Sequence, residues 1–314
     1  MGSAAERPAF RMIRNNGSGT AASMAATCVL VFMLCATPAF AQTAADERAA
    51  IEWQFYAAEL RKMLATPSVE QRREALFQIR NLRTAEASRI AITALKDSDE
   101  MVRATAAGSV IFLPPAEAAP ALIPLLTDRS EFVRREAAYA LGKSGDPSAT
   151  VPLVRVLEQD RDLEVRAAAA VGLGGIGDVA AVASLVRYLQ TRPREENEFV
   201  RRSAARAIGQ IAQIQRTGSR TVLTPENFLP DEYKSASSTK LPTSETHPVF
   251  RSGIPVLIAV VRSSNEEPDT VREAAFALGA IGDPTARPIL EASLRSSDPY
   301  LVEIAREALL KIHR

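Results

Sequence analysis

VRREAAYALGKSGDPSATVPLVRVLEQD, residues 133–160, decides the fold. Ala137, Ala138, Ala140 and Leu141 fall three and four apart, so they share one face of a helix. Small side chains on that face let a neighbouring helix approach to about 8–10 Å between axes. Gly142 and Gly145 read as the end of this helix, where a turn needs positive φ. Asp146 is placed to cap a second helix, with Pro147 at its first position. Leu153, Val154 and Leu157 give that helix its apolar stripe. Helices this short are marginal in isolation, so the unit must gain stability from neighbours.

Neighbours are present. VRAAAAVGLGGIGDVAAVASLVRYLQ begins at Val165 and TVREAAFALGAIGDPTARPILEASLRS at Thr270. The apolar register residue of the first helix falls at Ile79, Val110, Leu141, Leu173, Ile208, Leu278 and Leu309. The steps are 31, 31, 32, 35, 70 and 31 residues, and such constancy is the mark of a repeat array. The long step is one repeat plus an insertion, Arg216–Pro248, with four prolines and many Ser and Thr. The Val102 repeat carries Pro114-Pro115 in place of Gly-Asp, so its turn should differ. Leu301–Ile312 reads as a lone helix closing one end of the array, and Ala45–Ala65 as a helix closing the other, with Ile51, Phe55, Leu60 and Met63 available for burial.

V-R-x-x-A-A-x-A-L-G-x-x-G-D, at Val133–Asp146 with variants at Val165–Asp178 and Thr270–Asp283, resembles the short HEAT repeats of proteins similar to phycobilisome lyases. The resemblance covers residues 69–314 and implies an all-α fold, a right-handed α-α superhelix of about six helical hairpins plus terminal caps. Residues 42–68 form the N-terminal capping helix and linker in this division. Proteins with such repeats are mostly scaffolds and adaptors, and some assist enzymatic chemistry. The resemblance therefore implies a protein-binding scaffold, with an enzyme or enzyme accessory of the chromophore-lyase type as the alternative.

Residues 1–41 read as a cleaved export signal. Arg11 and Arg14 precede the uncharged stretch Ala21–Ala36, and Ala39-Phe40-Ala41 gives a small-x-small cleavage pattern. The 16 residues of Ala21–Ala36 fall short of the roughly 20 that span a bilayer. Met12 is an alternative start, and Leu34 before Cys35 does not suit a lipoprotein signal. Export to the periplasm or medium is the expectation, with no stable membrane insertion after cleavage. Both cysteines, Cys28 and Cys35, lie in this segment, so the mature chain has no disulfide and no thiol chemistry. Cleavage also removes three arginines and one glutamate, leaving a net charge of −1, which disfavours a nucleic-acid partner.

No catalytic, cofactor or metal site is expected. The mature chain has two histidines, His247 and His313, and no His-Glu pair in either order, so the His-Glu metal motifs of hydroxylases built on similar repeats are missing. The glycine-rich run Gly172–Gly177 falls at a repeat turn after a helix, the wrong context for a phosphate loop. Asp146, Asp178 and Asp283 recur in register, as helix caps do. Arginines also recur in the first helices, at 103, 134, 166 and 201, with Arg135, Arg202 and Arg272 one step on. They read as a ladder paired with the acids just before them, such as Asp128, Glu131, Asp162, Glu164 and Glu198, more readily than as a basic surface. The candidates for contact with a protein or peptide partner are Arg155, Arg187 and Tyr188 on the second helices, which in such solenoids usually line the concave side, and Asn227, Phe228 and Tyr233 in the insertion. For these helix residues an ordinary solvated surface is the competing reading, and for the insertion a tolerated flexible loop.

Overall fold

The structure, a computed structural model, describes residues 47–220 and 242–312. All regular secondary structure among them is helical. The chain divides into two units, Met1–Tyr56 and Ala57–Arg314. The described part of the first, 47–56, is helical, and its Trp53 and Tyr56 rings meet edge to face at 6.4 Å. Ile51 and Phe55, read as available for burial, are 53% and 75% exposed. An apolar stripe states a capacity for burial, which is realised only where a facing surface exists. The second unit opens on helical residues 57–64 (α1), where Ala57 and Leu60 are buried.

Six helical hairpins follow. They are α2 (Val69–Leu82) with α3 (Ala85–Ala91), α4 (Glu100–Ser109) with α5 (Pro115–Leu122), α6 (Glu131–Ser144) with α7 (Thr150–Gln159), and α8 (Leu163–Ile176) with α9 (Val182–Leu189). In the fifth, α10 (Glu198–Thr217) is separated from α12 (Gly253–Arg262) by the insertion and the single turn α11 (Thr243–Thr246). The sixth is α13 (Pro268–Ile281) with α14 (Arg287–Ser293), and the lone α15 (Pro299–Ile312) closes the array. The chain is an all-α solenoid.

First helices stack on first helices, from α2 through α15. From the second repeat on, each second helix lies chiefly against the first helix of the following repeat: α5 on α6, α7 on α8, α9 on α10, α12 on α13 and α14 on α15. A hairpin therefore cannot complete its own core, and the neighbour completes it. The register residues Ile79, Val110, Leu141, Leu173, Ile208 and Leu278 are all fully buried. Leu309, on the helix with nothing stacked beyond it among the described residues, is half-buried. In α7 the buried face is Leu153, Val156 and Leu157, with Val154 at its half-buried edge.

Gly142 does not end α6. It lies inside the helix, where a Cβ would sit 2.5 Å from Gly172 Cα. Gly172 and Gly175 likewise lie inside α8, against the α6 backbone, so the glycine-rich run is helix interior up to Gly177. Only Gly145 (φ 71) and Gly177 (φ 79) in these two repeats adopt the left-handed turn. Asp146, Asp178 and Asp283 do cap, accepting from the N–H of Ser148, Ala180 and Thr285 at 2.8–3.0 Å. Asp146→Ala is expected to lower the midpoint of a urea titration, because the cap on Ser148 N–H is lost. An unchanged midpoint would mean that water serves that N–H equally well. The Val102 repeat departs as expected. Val110 ends α4 at φ −93, and α5 starts at Pro115 without a left-handed residue between.

The insertion is shorter than the span 216–248 expected for it. Helix α10 continues to Thr217 and ends at Gly218 (φ 74). Arg216 is buried and its Nη1 donates to the carbonyls of Gly279 and Ala280, both at 3.2 Å. On the far side Thr243 and Ser244 are buried, and Ser244 Oγ donates to Asp283 Oδ2 at 2.7 Å. Both shoulders of the insertion thus belong to the repeat, because their polar groups serve the end of α13 and the turn after it.

Candidate functional site

One position of the first helix holds an arginine in five of the six repeats, Arg72, Arg103, Arg134, Arg166 and Arg201, and in the sixth Val271 stands there with Arg272 one residue on. Helical side chains lean toward the N-terminus of their helix, which carries these guanidinium groups to the linkers between repeats. Arg103 Nη1 donates to Asp97 O at 2.8 Å, and Arg134 Nη1 to Asp128 O at 3.0 Å, both in the linker before the helix. The rest of the group reaches the linker after it. Arg72 pairs with Asp97, Arg103 with Asp128, and Arg134 with Asp160, at 2.7–2.8 Å. Arg201 pairs with Glu266 and Arg272 with Asp298. The ladder is internal, and Asp128 is one of its acids as expected, but the pairing runs to the arginine of the preceding repeat. The acid follows the arginine, by 25 or 26 residues in four pairs and by 65 where the insertion intervenes, and does not lie just before it. Asp162, expected as a partner, instead caps α8 at Val165 N–H, 2.9 Å. Glu164 pairs with Arg135 on the exposed side.

The ladder carboxylates carry a pH signature. Burial pushes Asp128 and Asp160 up, but hydrogen bonds from Arg103 and Arg134 and from nearby backbone N–H groups outweigh it. Asp298 is held the same way by Arg272. All three therefore titrate below the ordinary 3.8. Folded values below unfolded ones give stability that is present above pH 3.8 and lost as pH falls through the folded values. Glu273 acts in the opposite sense: burial raises it above 4.5 despite Arg206, so its share is lost as pH rises past that value. A melting temperature that falls between pH 4 and pH 2.5, less steeply in Asp160→Ala, is the expected profile. An identical slope in the two proteins would exclude a linkage through this rung.

On the second helices the candidates separate. Arg155 is exposed. Arg187 is exposed too, but its Nη2 lies 3.4 Å from Glu158 Oε1 on α7 and 3.2 Å from Ser184 Oγ. Tyr188 differs from both. It is half-buried, and burial raises its hydroxyl above the ordinary value while the nearby charges of Arg166 and Arg201 oppose that shift. Asn227, Phe228 and Tyr233 lie outside the described residues, as do residues 1–41 and His313. His247 Nδ1 lies 3.0 Å from Thr246 Oγ1, and its ring meets Phe250 edge to face at 6.5 Å. Among the described residues no three His, Cys, Asp or Glu side chains are grouped to hold a metal, and no helix is long and apolar enough to cross a membrane.

The model of HEAT repeats matches residues 112–174, 150–224 and 247–310, more than half of the chain. The chain belongs to the HEAT-repeat family. Its HEAT array is similar over 64 residues to deoxyhypusine hydroxylase of Gallus gallus, 41% identical, and of Bos taurus, 45% identical. Those 64 residues are 20% of this chain and 20% of each relative. Among solved structures, an engineered protein covers 82% of this chain, which covers 68% of it, at 22% identity and a TM-score of 0.51. YibA of Escherichia coli covers 83% of this chain, which covers 82% of it, at 19% identity and a TM-score of 0.51. These structural likenesses speak for the HEAT fold alone.

Within the HEAT array the residues missed from sequence are the ladder acids other than Asp128, namely Asp97, Asp160 and Glu266. The signal was available, because Asp97, Asp128 and Asp160 recur at the repeat period just after the second helices. Their role becomes visible only when the following linker is known to fold back beside the arginine.

Proposed function

We propose that this chain is an exported scaffold that binds a protein or peptide through the surface of its HEAT array. The observation that carries the reading is the repetition of exposed, equivalent side chains, Arg155 and Arg187, on successive second helices of a preformed frame. Four of the five arginines in register are committed to internal pairs, so they leave the second-helix surface as the variable face. The export pattern of residues 1–41 supports a periplasmic or secreted setting, and the near-neutral mature charge supports a partner other than nucleic acid. The insertion adds specificity in this reading. The hydroxylase-like stretch covers a fifth of the chain, and the sequence has no His-Glu pair, so hydroxylation is not proposed.

A photo-crosslinking residue at position 155 or 187, installed in the exported protein, should capture a discrete protein partner. Removing residues 221–241, which spares the buried Arg216, Thr243 and Ser244, should weaken capture while leaving helical content intact. No partner at either position, together with turnover of a small substrate by the purified protein, would overturn the reading. An absorbance shift on adding bilin or haem would favour the chromophore-lyase-like alternative.

A further inference from the structure

Four of the five arginines in register hold a carboxylate of this chain, and Arg166 does not. No carboxylate among the described residues lies within 4.0 Å of it. Its Nε donates to Asp160 O in the preceding linker, where Arg134 reaches Asp128 O through Nη1, so the guanidinium meets the equivalent carbonyl but through a different nitrogen. The missing partner can be located by register. Arg103 donates to Asp97 O and Arg134 to Asp128 O, and Arg201 donates to Thr191 O at 2.5 Å. Thr191 therefore stands where Asp97, Asp128 and Asp160 stand. Its hydroxyl donates to Tyr188 O at 2.7 Å and supplies no charge. Thr191 and the following Arg192 are exposed.

We propose that Arg166 is a receptor for an Asp or Glu side chain of a peptide or protein partner, which completes the rung that Thr191 leaves open. A guanidinium has five N–H donors in a planar fork that matches a carboxylate. The four closed rungs show that a guanidinium at this position takes a carboxylate group. Exposed Glu195 and Glu196 follow in the same linker and disfavour a dense polyanion, so a single carboxylate on an extended segment fits better than nucleic acid. The proposal rests on the scaffold reading and names the chemistry of its ligand.

The test titrates the intact protein with a tetraglutamate peptide, its tetraglutamine analogue and inorganic phosphate at low ionic strength. Binding is followed by calorimetry and by the Arg166 Nε–H resonance. Tetraglutamate should bind and move that resonance, and tetraglutamine should do neither. Thr191→Asp, which supplies the acid within the chain, should weaken tetraglutamate binding at least about tenfold while raising the melting temperature. Arg166→Gln should weaken it as much. Equal affinity in wild type and T191D, no binding to wild type, or phosphate binding more tightly than the peptide would each overturn the proposal. Such a failure leaves the scaffold reading standing, because partner capture is read at Arg155 and Arg187. Failed capture beside successful peptide binding would sink the scaffold reading alone.

Discussion

Asp160→Ala is expected to lower the unfolding free energy by about 3–5 kcal/mol. The carboxylate faces Arg134 in a bidentate pair, with Nε to Oδ2 at 2.7 Å and Nη2 to Oδ1 at 2.9 Å. The two side chains are 7% and 8% exposed. Deleting the acid leaves a guanidinium out of water with carbonyls but no counter-charge, and that uncompensated burial dominates the loss. The same carboxylate accepts from Asp162 N–H at 2.9 Å, so the linker into α8 loosens as well. The adjacent Arg135 supplies the control. Its contact with Glu164 joins side chains 31% and 66% exposed, where an ion pair contributes about 0–1 kcal/mol. Urea titration should therefore show a large shift for Asp160→Ala and a small one for Arg135→Ala. Equal shifts would mean that solvent reaches the ladder as freely as the surface.

The second large effect is a contrast of sign. Gly142→Ala should destabilise by about 1–3 kcal/mol, although alanine is the better helix former. The new methyl group would meet backbone, Gly172 Cα at 2.5 Å and Gly172 O at 3.1 Å, and backbone cannot step aside without moving α8. Gly108→Ala in α4 meets only the end of the Arg80 side chain, with Nη1 at 3.3 Å. That chain can swing, so the substitution should be neutral or stabilising by up to about 1 kcal/mol. Destabilisation of the same size at both sites would remove the close approach of α6 and α8 as the reason for glycine at 142.

The hairpin reading followed from residues whose meaning is local. Gly145, Asp146 and Pro147 stop one helix and start the next through their own backbone and side-chain chemistry. The alanines of α6 and α8 declare a close neighbour at any register. What could not be read locally was decided between repeats. Gly142 resembles a helix stop in sequence, and it became a contact glycine because α8 passes within reach of it. Arg216 sits at the edge of a proline-rich stretch, yet the carbonyls ending α13 draw it into the helix and the interior. Arg187 and Tyr188 are adjacent in sequence, but about 100° of helical rotation sends one to solvent and the other to Arg166. The open rung at Thr191 is legible only against the closed ones.

Native-state hydrogen exchange, resolved by residue in wild type and Asp160→Ala, asks whether each hairpin is completed by its neighbour. Protection should fall most in α6, α7 and α8, which meet around the lost pair, and little in α13 to α15. An equal fall in every helix from α2 to α15 would indicate a single closed core and contradict a stack of mutually completed repeats.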